Sequence, residues 1–348
     1  MVEGMREKPS RTAQHVALFR ALESARGQPR LFTDPYAAAS LPPSHRLVVA
    51  AARLPAAGPR LARRVERLID RRWPGGPRAS AVARTRLIDD LVTDALAAGA
   101  RQLVLLGAGY DSRAYRLLAV RAGADPAAAG RGREAVDVYE VDHPATQARK
   151  RRLVERRVPA AARGHVRFVA ADLLRVGAAD VLLAAGLRPD APAVVVWEGV
   201  TNYLDAASVD ATLTGLAGAL APGSRVVFTY VDRRALDGTG TFSGVDEWAG
   251  TVRAAGEPFT FGLVPDELPG YLAARGLALT LDRSTRDAAD RYLTPLGRGG
   301  EPAAPFYRVA QAEVVSRPAA AAATAETAVA AAPTRERATE AVPSAGQG

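Results

Sequence analysis

Gln102-Leu103-Val104-Leu105-Leu106-Gly107-Ala108-Gly109-Tyr110-Asp111-Ser112 decides how the 348-residue chain is read. Gln102 to Leu106 has the make-up of a short strand buried on both faces, as at the centre of a parallel sheet. Gly107 and Gly109 follow at its end, where glycine allows a sharp turn and close approach of the backbone to a ligand. A ligand there would meet the free N–H groups and positive dipole end of the next helix, expected over 112–122. A dinucleotide fingerprint would want a third glycine where Ser112 stands. The two glycines therefore fit a plain strand-to-helix turn as well as a ligand loop.

Outward from this stretch, strands alternate with helices. Upstream, 81–98 is amphipathic and closes at Gly99 as a cap. Downstream, strands are expected at 135–141, 166–170, 193–197, 225–231, 277–281 and 307–315, with helices at 144–157, 207–220 and 265–275. This alternation predicts an α/β fold: a Rossmann-like, mostly parallel sheet of seven strands with helices on both faces. The last two strands would form an antiparallel edge hairpin. Residues 9–80 read as an N-terminal helical extension or lid, ahead of the α/β domain at 81–316. Within it, the glycine-rich stretch 236–261 reads as a substrate-side insertion. Residues 1–8 and 317–348 are expected to be disordered, since they contain too few large apolar side chains to offset the entropy of ordering.

Composition excludes several classes. The 46 basic against 37 acidic residues give a formal charge of +9. The arginines are scattered and not interleaved with aromatics, so nucleic acid is not an expected partner. With no cysteine, disulfides, thiol catalysis and cysteine-held zinc are excluded, and no metal is expected. No apolar run approaches the ~20 residues that span a bilayer. The reading is a cytoplasmic protein without membrane segments.

Carboxylates stand where the sheet's ligand edge should lie. Asp142, at the end of the second strand, suits the two hydroxyls of a ribose, with Glu140 as the alternative acid. Asp142 would equally suit a helix cap ahead of Pro144. Asp172 ends the third strand, where it can accept from an adenine amino group while Leu173 covers the ring face; it too fits a helix cap. Glu198 follows Val194-Val195-Val196-Trp197 directly, so it lies at the sheet edge, and a carboxylate buried there needs a partner such as an ammonium. Arg84, in the helix before the first strand, has the forked donors that clamp a carboxylate. Tyr203 and Tyr230, after the fourth strand and near the end of the fifth, are expected at the substrate mouth.

Together these segments resemble the leucine carboxyl methyltransferase family in its bacterial branch. The similar stretches are QLVLLGAGYDSRAYR from Gln102, YEVDHP from Tyr139 with Lys150, FVAADL from Phe168, WEGVTNYL from Trp197 and GEPFTFG from Gly256, with Ala83-Arg84-Thr85, Phe32-Thr33-Asp34-Pro35 and Ser10-Arg11-Thr12-Ala13 upstream. The resemblance spans about 9–316. It implies a class I methyltransferase fold with S-adenosyl-L-methionine (SAM) as cofactor. It further implies that Arg84 holds the cofactor's carboxylate, that Gly107 and Gly109 lie under its methionine part, and that Glu198 takes the amino end. Asp142 would bind the ribose, and Asp172 and Leu173 the adenine. A lysine that eukaryotic members use near the N-terminus is matched here by Ser10 and Arg11, which leaves that contact open.

The expected activity is therefore O-methylation of a small molecule bearing a carboxylate or a hydroxyl. An ionised carboxylate needs no base, only positioning and desolvation. A phenol would gain from a base, and of the four histidines only His143 is placed near the cofactor edge by sequence. A nicotinamide-dependent oxidoreductase on the same sheet is the rival. The missing third glycine and the lack of a Tyr-x-x-x-Lys pair speak against it.

Overall fold

The computed structural model describes residues 11–123, 136–163, 165–173, 175–254 and 256–315. The expected disordered ends, 1–8 and 317–348, and most of the glycine-rich stretch after the helix at 113–123 lie outside these residues. Seven strands form one sheet in the order β3-β2-β1-β4-β5-β7-β6. They are β1 (Gln102–Leu106), β2 (Asp137–Asp142), β3 (Val166–Ala170), β4 (Ala193–Trp197), β5 (Arg225–Val231), β6 (Leu277–Ser284) and β7 (Tyr307–Val314). The first five pair in parallel. Antiparallel β7 lies between β5 and β6, so β6 alone forms that edge.

The apolar runs explain which strands sit centrally. Every residue of β1 and β4 is buried, because helices cover both faces. Successive strand residues point to opposite faces. Leu103, Leu105, Val194 and Val196 accordingly join one core, and Val104, Leu106, Val195 and Trp197 the other. The first core is capped by α4 (Pro77–Ala97) and α5 (Arg113–Gly123), and the second by the helices Ala178–Ala184, Ala206–Ala219 and Leu268–Ala273. Strand order reverses between β1 and β4, and the carboxyl ends of strands at such a switch point are where open α/β sheets bind ligands.

N-terminal to the sheet, α1 (Arg11–Ala25), α2 (Pro43–Ala52) and α3 (Gly58–Arg72) share a small core of Leu18, Leu22, Val49 and Ala62. The helix α6 (Pro144–Arg157) follows β2. Several local expectations need correction. The stretch 236–261 holds a helix, Val245–Ala254. The link between β6 and β7 holds another, Thr285–Tyr292, with a capping box at Ser284 and Asp287, so the two strands are not a simple hairpin. Among the described residues no helix follows Asp172 for it to cap; its carbonyl closes a turn with the amides of Arg175 and Val176. No described helix is long and apolar enough to cross a membrane.

Candidate active site

Residues from the carboxyl ends of β1, β2 and β4 open onto a cavity of about 840 Å³, walled also by α1 and by the segment around Val245–Ala254. Gly107 and Gly109 turn out of β1 with φ of +70° and +39°. At Gly107 a side chain is excluded twice over, by the left-handed backbone and by Val200, whose Cγ2 lies 2.6 Å from where a Cβ would stand. The Gly109 N–H donates to Asp142 Oδ2 at 2.6 Å, and the His143 N–H donates to Oδ1 at 2.7 Å. Asp142 is thus bound to the glycine turn and lines the cavity. The α6 cap is His143, whose side chain accepts from the Ala145 N–H.

Burial pushes the Asp142 carboxyl above its ordinary range, and the two N–H bonds pull it only partly back. If a ligand hydroxyl donates to the ionised carboxylate, proton and ligand compete. Affinity should then fall as pH drops through this raised value, by up to tenfold per pH unit. Calorimetry of SAM binding between neutral pH and pH 5 checks this; a profile no steeper than that of Asp142→Asn would exclude Asp142 as the titrating group.

Beneath the turn sits a buried ion pair. Lys150 Nζ lies 2.8 Å from Glu140 Oε1 and donates to the Ala108 carbonyl at 3.2 Å. Ala108 C=O and Gly109 N–H belong to one peptide unit, so Lys150 holds one end of the plane whose other end meets Asp142. Glu140 is fully buried here and does not line the cavity. Glu140 is therefore not placed to take a ribose, because its side chain points into the protein and is paired with Lys150 there.

Glu198 leaves β4 into a set of buried charges. Its Oε1 accepts from Arg84 Nε at 2.7 Å and its Oε2 from Arg113 Nη1 at 2.6 Å. Arg113 also donates to Asp111 at 2.6 Å and to Asp89 at 2.8 Å, and Arg116 holds the second oxygen of Asp89. Burial would raise the Glu198 carboxyl, but Arg113 and Arg84 outweigh it and hold it below the ordinary range. Asp111 is depressed likewise: burial would raise it, but Arg113, Arg20 and Lys150 together outweigh that. Arg84 uses only Nε in this pairing. Its two outer nitrogens have no hydrogen-bond partner among the described residues, and the side chain lines the cavity. Unpaired guanidinium donors beside an ionised carboxylate fit a zwitterion, whose carboxylate would take Arg84 and whose ammonium would take Glu198.

The other expected residues divide. Tyr203 lines the cavity. Burial keeps its hydroxyl protonated far above neutral pH, so it is a donor and not a base. Tyr230 does not line the cavity. It is fully buried in β5, donates to Asp282 at 3.0 Å and accepts from Arg308 at 3.1 Å; strand alternation turns it away from the mouth. Asp172 and Leu173 follow β3 and are not in the cavity lining, Asp172 lying 3.6 Å from Arg175. Sequence reading missed Arg113 and Asp111, which stand inside the diagnostic stretch but gain meaning only from distant Asp89 and Glu198. It also missed Arg20, whose Nη1 sits 3.2 Å from Asp34 and 3.3 Å from Ser112, tying α1 to the glycine turn. His15 was missed as well; its position in α1 brings it to the cavity wall.

A family model described as leucine carboxyl methyltransferase matches residues 13–217. The chain belongs to the leucine carboxyl methyltransferase family. A Frankia alni protein provisionally named an S-adenosyl-L-methionine-dependent methyltransferase is 35% identical over 288 residues, 82% of this chain and 87% of that protein. A Streptomyces coelicolor protein with the same kind of name is 33% identical over 289 residues, 82% and 88% of the two chains. The fold agrees with the crystal structure of a Thermobifida fusca protein described as a methyltransferase, at TM-score 0.50 and 18% identity over 90% of this chain and 98% of that one. This family member is accordingly a SAM-dependent methyltransferase. The matched segment contains Arg84, Gly107, Asp142 and Glu198 and ends before Trp248, Phe259 and Tyr307.

Proposed function

We propose that this methyltransferase transfers the methyl group of SAM to a carboxylate oxygen of a small molecule. The observation that carries the cofactor assignment is the pairing of Arg84's free guanidinium donors with ionised Glu198 at the β1/β4 switch point, one turn from Asp142. Arg84 and Glu198 hold the amino-acid end, the Gly107–Gly109 turn makes room for the backbone to approach, and Asp142 takes the ribose. Asp172 and Leu173 sit further along the same edge, towards β3, as the candidates for the adenine. Bound there, SAM supplies a sulfonium methyl, which an acceptor oxygen takes in line while the sulfur keeps the electron pair.

The chain's own task is then to orient the acceptor and exclude water. The carboxylate reading is supported by Tyr203, which stays protonated and can donate to an acceptor oxygen, and by the fact that an ionised acceptor needs no base. The helix α1, residues 73–77 and part of the stretch 236–261 wall the cavity and, with α2 and α3 behind α1, would serve as its lid. A hydroxyl acceptor is the second reading, and it is favoured by an imidazole, His15, on the cavity wall. The test incubates the purified chain and labelled SAM with extracted metabolites and follows the label by mass spectrometry. Base-labile label supports an ester; base-stable label in an ether overturns the carboxylate reading. Tyr203→Phe should lower kcat about tenfold, the loss of one hydrogen bond to a charged group, while SAM affinity stays within twofold.

A further inference from the structure

The chain is poor in aromatics, with 20 Phe, Trp and Tyr residues. Seven of them line the one large cavity found among the described residues: Phe19, Trp73, Tyr110, Tyr203, Trp248, Phe259 and Tyr307. Four of the seven gather on one side. Tyr203 follows β4, and Tyr307 begins β7 opposite Val231, the last residue of β5. Both therefore lie at the carboxyl rim of β4 and β5, across β1 from Asp142. Trp248 stacks on Tyr307 with centroids 5.5 Å apart and planes 5° from parallel. Phe259 lies 5.8 Å from Tyr203 and 6.4 Å from Tyr307. Trp248, Phe259 and Tyr203 are only partly buried, so their faces remain available to a ligand.

The charge of this rim is distinctive. The cations that line the cavity, Arg20, Arg84 and Arg149, come from α1, α4 and α6. Beside the rings stand two acids, Glu247 and Glu257, in a chain of net charge +9, and one arginine, Arg84, whose guanidinium lies 4.9 Å from the Tyr307 ring centroid and pairs with Glu198. Glu257 is half-buried and accepts from the Thr12 N–H at 3.3 Å, which ties it to α1. An acceptor with a second anionic group would face these two carboxylates, while Arg84 is held by Glu198 and, on the reading above, by the cofactor's carboxylate.

We propose that the acceptor is a planar aromatic acid carrying a basic nitrogen. Its ring packs against Trp248, Phe259, Tyr203 and Tyr307, and its ammonium points to Glu257 and Glu247. This rests on the methyltransferase reading above and adds the substrate class. Flat rings match the flat, partly exposed wall, and the ammonium meets the half-buried carboxylate of Glu257, with Glu247 on the exposed side. Transfer is unchanged by this: the C–O bond forms as the S–CH₃ bond breaks, and the ammonium keeps its proton.

The test is calorimetry on the full chain. A first titration with S-adenosylhomocysteine establishes the cofactor site, and failure of that titration overturns the methyltransferase reading itself. The saturated protein is then titrated with 4-(aminomethyl)benzoate, benzoate, terephthalate and 6-aminohexanoate. The amine-bearing aromatic acid is expected to bind at least tenfold more tightly than each of the others. Terephthalate or 6-aminohexanoate binding as tightly, or no binding by any of the four, overturns the inference. Glu257→Gln should reduce the advantage over benzoate about tenfold, and Trp248→Ala should weaken both aromatic acids, with S-adenosylhomocysteine affinity unchanged in each variant. An unaltered preference in Glu257→Gln would equally sink the proposed role for the ammonium.

Discussion

Replacing Arg113 by leucine is expected to cost about 3–5 kcal/mol of stability, the usual consequence of removing one partner from a buried charge set. The side chain is 1% exposed. It donates to Asp89, Asp111 and Glu198, each within 2.8 Å. Asp89 retains Arg116 and Glu198 retains Arg84, so Asp111 bears most of the loss. At 2–4 °C per kcal/mol for large domains, the melting temperature should fall by roughly 10 °C. Arg113→Lys should recover only part of this, since a single ammonium cannot bridge three carboxylates as a planar fork does. The pH dependence has a definite sign. Asp111 and Glu198 have depressed carboxyl pKa values in the folded state. Their contribution is present above the unfolded-state carboxyl range and is lost as pH falls through the folded values. The variant's deficit should therefore be greatest near neutrality and shrink on acidification. A melt within 2 °C of the parent at pH 7 would mean that the network adds no net stability.

Asp142→Ala is expected to weaken SAM binding by a hundredfold or more. The carboxylate would take the ribose hydroxyls, and each hydrogen bond to a charged group contributes about 1.5–3 kcal/mol. Two of them correspond to a factor of at least a hundred. The same substitution frees the Gly109 and His143 N–H groups, loosening the turn under the cofactor. Asp142→Asn keeps one acceptor in place and should lose roughly tenfold. Calorimetry gives both numbers, and unchanged affinity in Asp142→Ala would remove the ribose assignment. Because Asp142 is bonded to the loop and not to the core, its melting temperature should change by only a few degrees.

Central elements were legible because a sheet covered on both faces demands solid apolar runs. The central strands β1, β4 and β5 have the bounds their patterns predict; so do the edge strand β3 and the polar helix α6, which Pro144 starts. Elements whose burial comes from one face or from a neighbour were not. The helix Val245–Ala254 buries only Val252 within its own length. The helix Thr285–Tyr292 is short, highly charged and held by its capping box, so it carries no apolar period. Tyr230 was misplaced for a related reason. Its rank in the sequence puts it near the end of β5, but the side to which an alternating strand turns a residue depends on register, and the register with β7 faces it towards Arg308 and Asp282.

The candidate site divides in the same way. Gly107, Asp142 and Glu198 could be read from the sequence because each ends a strand or directly follows one, and strand ends at a switch point share one rim by topology alone. Arg84 was readable only as a lone cation; its pairing with Glu198 spans 114 positions. The meaning of Arg113, the burial of Lys150 against Glu140, and the gathering of Trp248, Phe259 and Tyr307 around Tyr203 arise from contacts between segments far apart in the chain.

By itself the sequence determined the α/β class, the glycine turn, the acids at the strand ends and the family. These follow from local propensity, burial periodicity and short motifs, which act over a few residues. Only the tertiary structure decided which charges neutralise one another, which acid faces the cavity and which turns inward, and what walls the acceptor side. Electrostatic pairing and ring packing depend on distances in space, and chain order does not encode these locally.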